Sequence, residues 1–106
     1  RAGARGSEVD MTGAANGEVQ VENERWRVTR WTIEPGGTIP MHRHHHDYAV
    51  VPLMTGTMVA VDPDGNEIVV ELEQGSSYAR EAGAEHRMEH RGEGEPIVFV
   101  EVERLD

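Results

Sequence analysis

The hydrophobic residues of this chain fall in short runs, many of them alternating with polar residues, between turn sequences rich in Gly, Pro, Asp and Asn. No stretch shows the 3.6-residue periodicity of an amphipathic helix. Short runs rich in β-branched and aromatic residues are typical of strands. The predicted strands cover residues 19–22, 26–33, 38–46, 48–54, 57–61, 68–72, 76–80, 85–90 and 97–103. This regular spacing predicts an all-β fold, an antiparallel jelly-roll β-barrel.

Turn sequences divide these strands and set the domain limits. The Asp64-Gly65 step within residues 62–66 predicts a tight hairpin, and Pro52 marks an edge or a bulge. Residues 1–17 are rich in Gly and Ala and lack periodicity, so we expect a flexible N-terminal arm. Residues 18–106 would then form a single domain.

Composition excludes several classes of partner and ligand. The 106 residues carry a net charge of -10, which opposes binding to nucleic acid or to an anionic membrane surface. No apolar run approaches the roughly 20 residues of a membrane span, and no signal peptide is visible, so a cytoplasmic location is expected. There is no cysteine, which leaves His, carboxylate and Tyr side chains as metal ligands.

The densest chemical signal is a run of histidines in the middle of the chain. Alternate residues of a strand share one face, so His42, His44 and His46 would point the same way, and His45 the other way. Neutral imidazole is the commonest protein ligand for transition metals. A solvated polar run is the alternative, but three imidazoles on one strand face favour a partial metal site.

The segment that contains these histidines resembles the first conserved motif of the cupin superfamily. That motif has a Gly, then five intervening residues and a His-x-His pair, then a Glu, and a final Gly after the next strand. Gly36, His42 and His44 match the spacing, and Gly56 ends the segment. The resemblance implies a cupin-type barrel whose metal ligands include both histidines.

A second segment resembles the other cupin motif. Gly75, Gly83 and His86 keep its spacing, with Glu81 where Pro is usual and His90 where Asn is usual. The resemblance implies that His86 is a third metal ligand. More narrowly, residues 26–31, 42–53 and 78–86 resemble the small single-domain cupins known as β-alanine degradation proteins, the BauB-like group.

The glutamate of the cupin motif has no counterpart here. Its position falls at Tyr48 or Ala49, and Asp47 has the wrong strand parity unless a bulge shifts it. The resemblance therefore leaves three neutral imidazoles as ligands, those of His42, His44 and His86. Such a site does not compensate the charge of a divalent ion, so we expect the substrate to bind as an anion.

Other residues near the motifs have expected roles. Tyr48 would be a fourth ligand or a proton donor, or its ring would only fill the barrel. His46 would orient a ligand or the substrate, and His90 would line the pocket. Arg80 is a candidate clamp for a substrate carboxylate, whereas Arg43 is expected to form surface ion pairs.

These observations predict a mononuclear metal-binding small cupin. We expect a metalloenzyme, dioxygenase-like, that acts on a small anionic organic acid, with Fe2+ favoured and Zn2+, Ni2+ or Mn2+ as alternatives. The second hypothesis is a non-catalytic module that binds metal or ligand. Few aromatic residues and exposed sheet edges favour a homodimer.

Overall fold

The structure, a computed structural model, describes residues 9–10 and 15–106, and every regular element in these residues is a β-strand. The strands are β1 (Val9–Asp10), β2 (Ala15–Glu22), β3 (Trp26–Ile33), β4 (Thr38–Arg43), β5 (Tyr48–Pro52), β6 (Gly56–Val61), β7 (Glu67–Leu72), β8 (Tyr78–Arg80), β9 (Glu85–Glu89) and β10 (Ile97–Arg104). The described residues include no helix long and apolar enough to cross a membrane.

The strands pair antiparallel in two sheets. One has six strands in the order β1-β2-β3-β10-β5-β8, and the other has four in the order β4-β9-β6-β7. The all-β prediction is confirmed. The described strands form two separate hydrogen-bonded sheets and not one closed ring, so the predicted barrel is open along its seams.

The N-terminal boundary differs from the expected one. Strand β2 begins at Ala15 and pairs with β3, with Gly17 opposite Trp31, so residues 15–17 belong to the large sheet. Strand β1 pairs with β2 at the edge of this sheet. The remainder of the expected arm, residues 1–8 and 11–14, lies outside the described residues.

The core lies between the inner faces of the two sheets. Strand alternation places Ile33 and Ile97 there almost completely buried, at 0% and 1% exposure. Strand β10 continues the same face with Phe99 and then Glu101, so the core changes from apolar to polar along one strand. This polar end of the core is where the histidines lie.

A bulge in β4 determines where its histidine points. The pairing of β4 with β9 shifts by one residue between Ile39 and His42. Ile39 is 3% exposed and faces inward, so regular alternation would turn Met41 inward and His42 outward. Instead Met41 is 38% exposed and His42 lines the interior, because the extra residue reverses the alternation. Pro40 lies in the shifted segment and has no N–H for the ladder.

Truncation of the core should cost far more stability than the same change at an exposed edge. We expect Ile33→Ala to lower the free energy of unfolding by about 2–4 kcal/mol, since it leaves a cavity in packed surroundings. The matched change Ile68→Ala, on edge strand β7 where Ile68 is 64% exposed, should cost less than about 0.5 kcal/mol. Urea unfolding followed by tryptophan fluorescence measures both, and equal losses would contradict this account of the core.

Candidate metal centre

Two local pairings bring three histidines together. In the antiparallel pair of β4 and β9, His42 lies directly opposite His86. His44 follows the end of β4, and its backbone pairs with the turn before β9. Its N–H donates to the Ala84 carbonyl at 2.8 Å, and its carbonyl accepts from the Gly83 N–H at 2.8 Å. The φ of Gly83 is 112°, a conformation that favours glycine.

The three imidazoles converge through their Nε2 atoms. Nε2 of His44 lies 3.0 Å from Nε2 of His42 and 3.2 Å from Nε2 of His86. Two nitrogens each about 2.1 Å from one ion are about 3.0 Å apart at a right angle and about 3.4 Å apart at the tetrahedral angle. The observed separations lie within this range, so the donor set can hold a single transition-metal ion.

The outer nitrogens of two rings set their orientation. His42 donates from Nδ1 to the carbonyl of Pro40 at 2.8 Å, which leaves its Nε2 lone pair directed into the cluster. Nδ1 of His44 faces Oε2 of Glu101 at 3.7 Å, which is beyond hydrogen-bond distance. Tyr48 stacks on the His44 ring, with ring centres 4.0 Å apart and planes 17° apart.

Burial keeps two of the imidazoles in the form that binds metal. Desolvation, with a further contribution from the neighbouring histidines, lowers the pKa of His44 to about 3. Desolvation and the proximity of His42 lower the pKa of His86 to about 4. Both rings are therefore neutral at pH 7, so the contact between His44 and Glu101 is not an ion pair.

The cluster lies in the wall of a cavity of about 300 Å³, a volume at the lower end of the range for small-molecule pockets. Much of the remaining wall is apolar. The apolar side chains that line it are Val19, Trp31, Ile39, Val50, Met58, Met88 and Phe99. Such a cavity admits a small molecule and restricts water around it.

Sequence reasoning missed a buried carboxyl group in the same cavity. Glu101 is 8% exposed, and its Oε1 accepts a hydrogen bond from the Trp31 indole N–H at 3.3 Å. Burial, followed by the charge of Glu103, raises the pKa of Glu101 to about 7. The signal was present in β10, where Ile97, Phe99 and Glu101 share one parity and a carboxylate continues a buried face.

Glu101 does not supply the missing cupin glutamate. The three-histidine group has its donor atoms within 4.8 Å of one another, and Glu101 belongs to a different group, with His44 and Glu103. Glu103 accepts a charged hydrogen bond from Arg27 at 3.2 Å, and Arg27 also lies 3.5 Å from Glu22. The expectation of a wholly uncompensated site is therefore corrected, because a carboxyl group lies beside the cluster without joining it.

The other expected site residues divide between the cavity and the surface. Tyr48 lines the cavity, but His46 does not, because β4 ends at Arg43 and strand parity no longer applies beyond it. His90 donates from Nε2 to the Glu95 carbonyl at 2.9 Å and closes a loop outside the cavity. This placement does not support the expected substrate contact of His90.

The two candidate arginines are both exposed. Arg80 lies opposite Tyr48 in the pairing of β5 and β8, but its side chain is exposed, and its guanidinium lies 4.7 Å above the ring centre of Tyr78 and outside this cavity. Arg43 lines the cavity, and among the described residues no carboxylate pairs with it. Of the two arginines that line the cavity, Arg27 and Arg43, Arg43 is therefore the one without a carboxylate partner among these residues.

The fold and the histidine cluster are those of a cupin. The cupin domain model matches residues 29–103, and the chain belongs to this family. The resemblance seen in the two sequence motifs is thereby confirmed. Cupins often bind a divalent metal, and the cluster lies within the matched residues.

Individual proteins within the comparisons show how similar this chain is to particular relatives. The chain is 44% identical over 85 residues to the β-alanine degradation protein BauB of Pseudomonas aeruginosa, across 80% of this chain and 87% of that protein. A cupin domain from Bordetella pertussis Tohama I superposes with a TM-score of 0.81 and 41% identity, over 86% of this chain and 93% of that one. The polyketide cyclase RemF of Streptomyces resistomycificus shares the fold, with a TM-score of 0.72 and 20% sequence identity. The match covers 100% of this chain and 80% of the RemF chain.

Metal binding should fail in strong acid. Protons compete for His86 and His44 only as the pH approaches about 4 and about 3. We therefore expect zinc binding to be lost by about pH 3, because protons then occupy these two ligands. Equilibrium dialysis with metal analysis measures this dependence.

Two variants separate the cluster from the neighbouring histidines. His86→Ala should abolish stoichiometric zinc binding at pH 7, whereas His45→Ala, at an exposed position outside the cluster, should retain it. Full zinc occupancy at pH 2, or in the His86→Ala variant, would contradict a site built from these imidazoles.

Proposed function

We propose that this cupin is a metalloenzyme that binds one divalent transition-metal ion through His42, His44 and His86 and acts on a small organic acid. The observation that carries the proposal is the convergence of three Nε2 atoms at 3.0 and 3.2 Å in the wall of a cavity. Fe2+ is favoured, because three imidazoles leave coordination positions for both an acid and dioxygen.

The charge of the bound ion supports an acid as the ligand at the histidine cluster. Three neutral imidazoles leave the charge of a divalent ion uncompensated within the donor set, so an anion is attracted there. Arg43 adds a second positive charge beside the cluster. The similarity to BauB makes three-carbon acids related to β-alanine the first compounds to test.

Tyr48 is the candidate proton donor. Burial, with a further contribution from the charge of Glu101, raises the pKa of Tyr48 to about 12, so its hydroxyl stays protonated at neutral pH. Its ring is fixed by stacking on His44, which holds the hydroxyl in the cavity. A neutral hydroxyl can hydrogen-bond to a substrate oxygen on which negative charge develops.

The bound ion would determine the class of reaction. Iron supports oxidative cleavage of a β-oxo or enolisable acid, with dioxygen as oxidant and both of its atoms entering the products, whereas zinc supports hydrolytic or lyase chemistry. The chain itself supplies the acid-binding position, a proton at Tyr48 and the apolar walls formed by Val50, Met88 and Phe99.

Iron-loaded protein should consume oxygen when a small β-oxo acid is added. His86→Ala should abolish consumption together with metal binding. Tyr48→Phe should lower kcat about tenfold or more with little change in KM, because a proton donor acts mainly on the transition state. An oxygen electrode and metal analysis provide the readouts.

The alternative hypothesis, a non-catalytic module that binds metal or ligand, makes a different prediction. Under it, acids bind the metal-loaded protein in calorimetry, yet no substrate turns over with iron, zinc, nickel or manganese. Unaltered kcat in Tyr48→Phe would show that the hydroxyl is not the proton donor, while leaving the metal site intact.

We further infer that the protein is a homodimer, formed through the outer face of the six-stranded sheet. Valines on neighbouring strands form a half-buried apolar surface there, with Val100 beside Val51 and Val102 beside Val28. Trp26, 44% exposed, extends this surface. Arg30 also lies beside Val100 on this face, and apolar residues accompanied by an arginine are typical of an interface.

A single charge in this surface should separate the subunits. Light scattering at micromolar concentration should give twice the 11.8 kDa of one chain. Val100→Asp should give a folded monomer, whereas Ile68→Asp at the exposed edge of the other sheet should remain dimeric. A wild-type mass of one chain would contradict the inferred dimer.

A further inference from the structure

One carboxyl oxygen in the cavity has no role in the histidine cluster. Oε1 of Glu101 is held by the Trp31 indole, but Oε2 has no hydrogen-bond partner among the described residues and lies 3.7 Å from Nδ1 of His44. Among the described residues, every fully buried side-chain oxygen or nitrogen has a hydrogen-bond partner, so this free oxygen opens onto the cavity. An oxygen so placed requires a donor from a ligand or from water.

The neighbouring strands hold Glu101 in this orientation. Trp31 lies opposite Gly17 in the pairing of β2 and β3. A Cβ at Gly17 would lie 2.8 Å from the Trp31 ring, so the ring packs directly against the backbone of β2. This packing fixes the indole N–H that binds Glu101, and a side chain at position 17 would displace it.

The charged side chains around Glu101 do not pair with it, so its carboxylate is available to a cation. Glu103, the next inward residue of β10, is paired with Arg27 at 3.2 Å. Arg43, the other cavity-lining arginine, follows His42 in the strand that carries part of the histidine cluster. The described part of the chain therefore places no cationic side chain within 4.0 Å of Glu101.

We propose that Glu101 binds the ammonium group of a small amino acid whose carboxylate lies at the three-histidine cluster. The position of the ligand's carboxylate rests on the function proposed above, whereas the position of its ammonium group rests on Glu101 alone. An ammonium group is compact and offers three donors, so one can reach Oε2 while its charge compensates the buried carboxylate. The chain between the two groups would pack on Phe99, Val50 and Met88.

Calorimetry with zinc-loaded protein tests the inference without any turnover. The probes are 3-aminopropanoate, 3-hydroxypropanoate and propanoate, which share the carboxylate and differ in the group that would meet Glu101. We expect 3-aminopropanoate to bind about tenfold to a hundredfold more tightly than propanoate, since it adds a charge-assisted hydrogen bond. The hydroxy acid should lie between them.

Substitution of the carboxylate should remove this preference. In Glu101→Gln, the Trp31 N–H retains an oxygen acceptor, so the variant should bind zinc and propanoate as the wild type does and lose the gain for 3-aminopropanoate. Glu73→Gln, at an exposed turn, is the matched control and should keep the gain. Thermal unfolding and zinc stoichiometry verify that each variant is folded.

The outcomes distinguish this inference from the proposed function. If propanoate binds the wild type and 3-aminopropanoate binds no better, the role of Glu101 is refuted and the acid site stands. A preference that survives in Glu101→Gln also refutes that role. If neither acid binds zinc-loaded protein, the proposed acid site fails, and the inference fails with it.

Discussion

The antiparallel pairing of β4 with β9, together with the bulge in β4, is the constraint on which the site depends. Regular alternation from Ile39 would turn His42 to the surface, and the one-residue shift turns it inward opposite His86. The same two strands are tied at their other end, where the Gly36 N–H donates to the His90 carbonyl at 2.8 Å. A register without the bulge would keep the sheet and lose the site.

The cavity then carries two chemically different groups beside each other. One is the histidine cluster, in which burial keeps His44 and His86 uncharged. The other is Glu101, whose pKa is raised because desolvation and Glu103 disfavour its charge. Low dielectric strengthens every charge interaction in so small a volume, so the two groups select a ligand by the arrangement of its charges.

The sequence was sufficient for the strands and for the histidine ligands that the cupin motifs contain, because period-two alternation and fixed motif spacing are local properties. It was insufficient where tertiary pairing decides the outcome. Strand β4 ends at Arg43 because His44 pairs with the turn at Gly83 and Ala84, so extrapolated parity misplaced His46.

Glu101 shows a second reason why the site could not be fully predicted from the sequence. Its parity in β10 indicated an inward carboxylate, but no motif names that position, and its partners come from distant strands. The indole of Trp31 and the ring of His44 reach it only after both sheets have formed. The charge argument drawn from the cupin glutamate was therefore incomplete, although the three-histidine group itself contains no carboxylate.

X-ray absorption spectroscopy of protein loaded with one equivalent of zinc tests the central claim most directly, since it reports the ligands of the ion itself. The account predicts nitrogen or oxygen neighbours at about 2.0–2.1 Å. The outer scattering should correspond to the imidazole rings of His42, His44 and His86, and it should weaken in His44→Ala. A zinc spectrum without imidazole scattering, or one unchanged in His44→Ala, would contradict the metal centre described here.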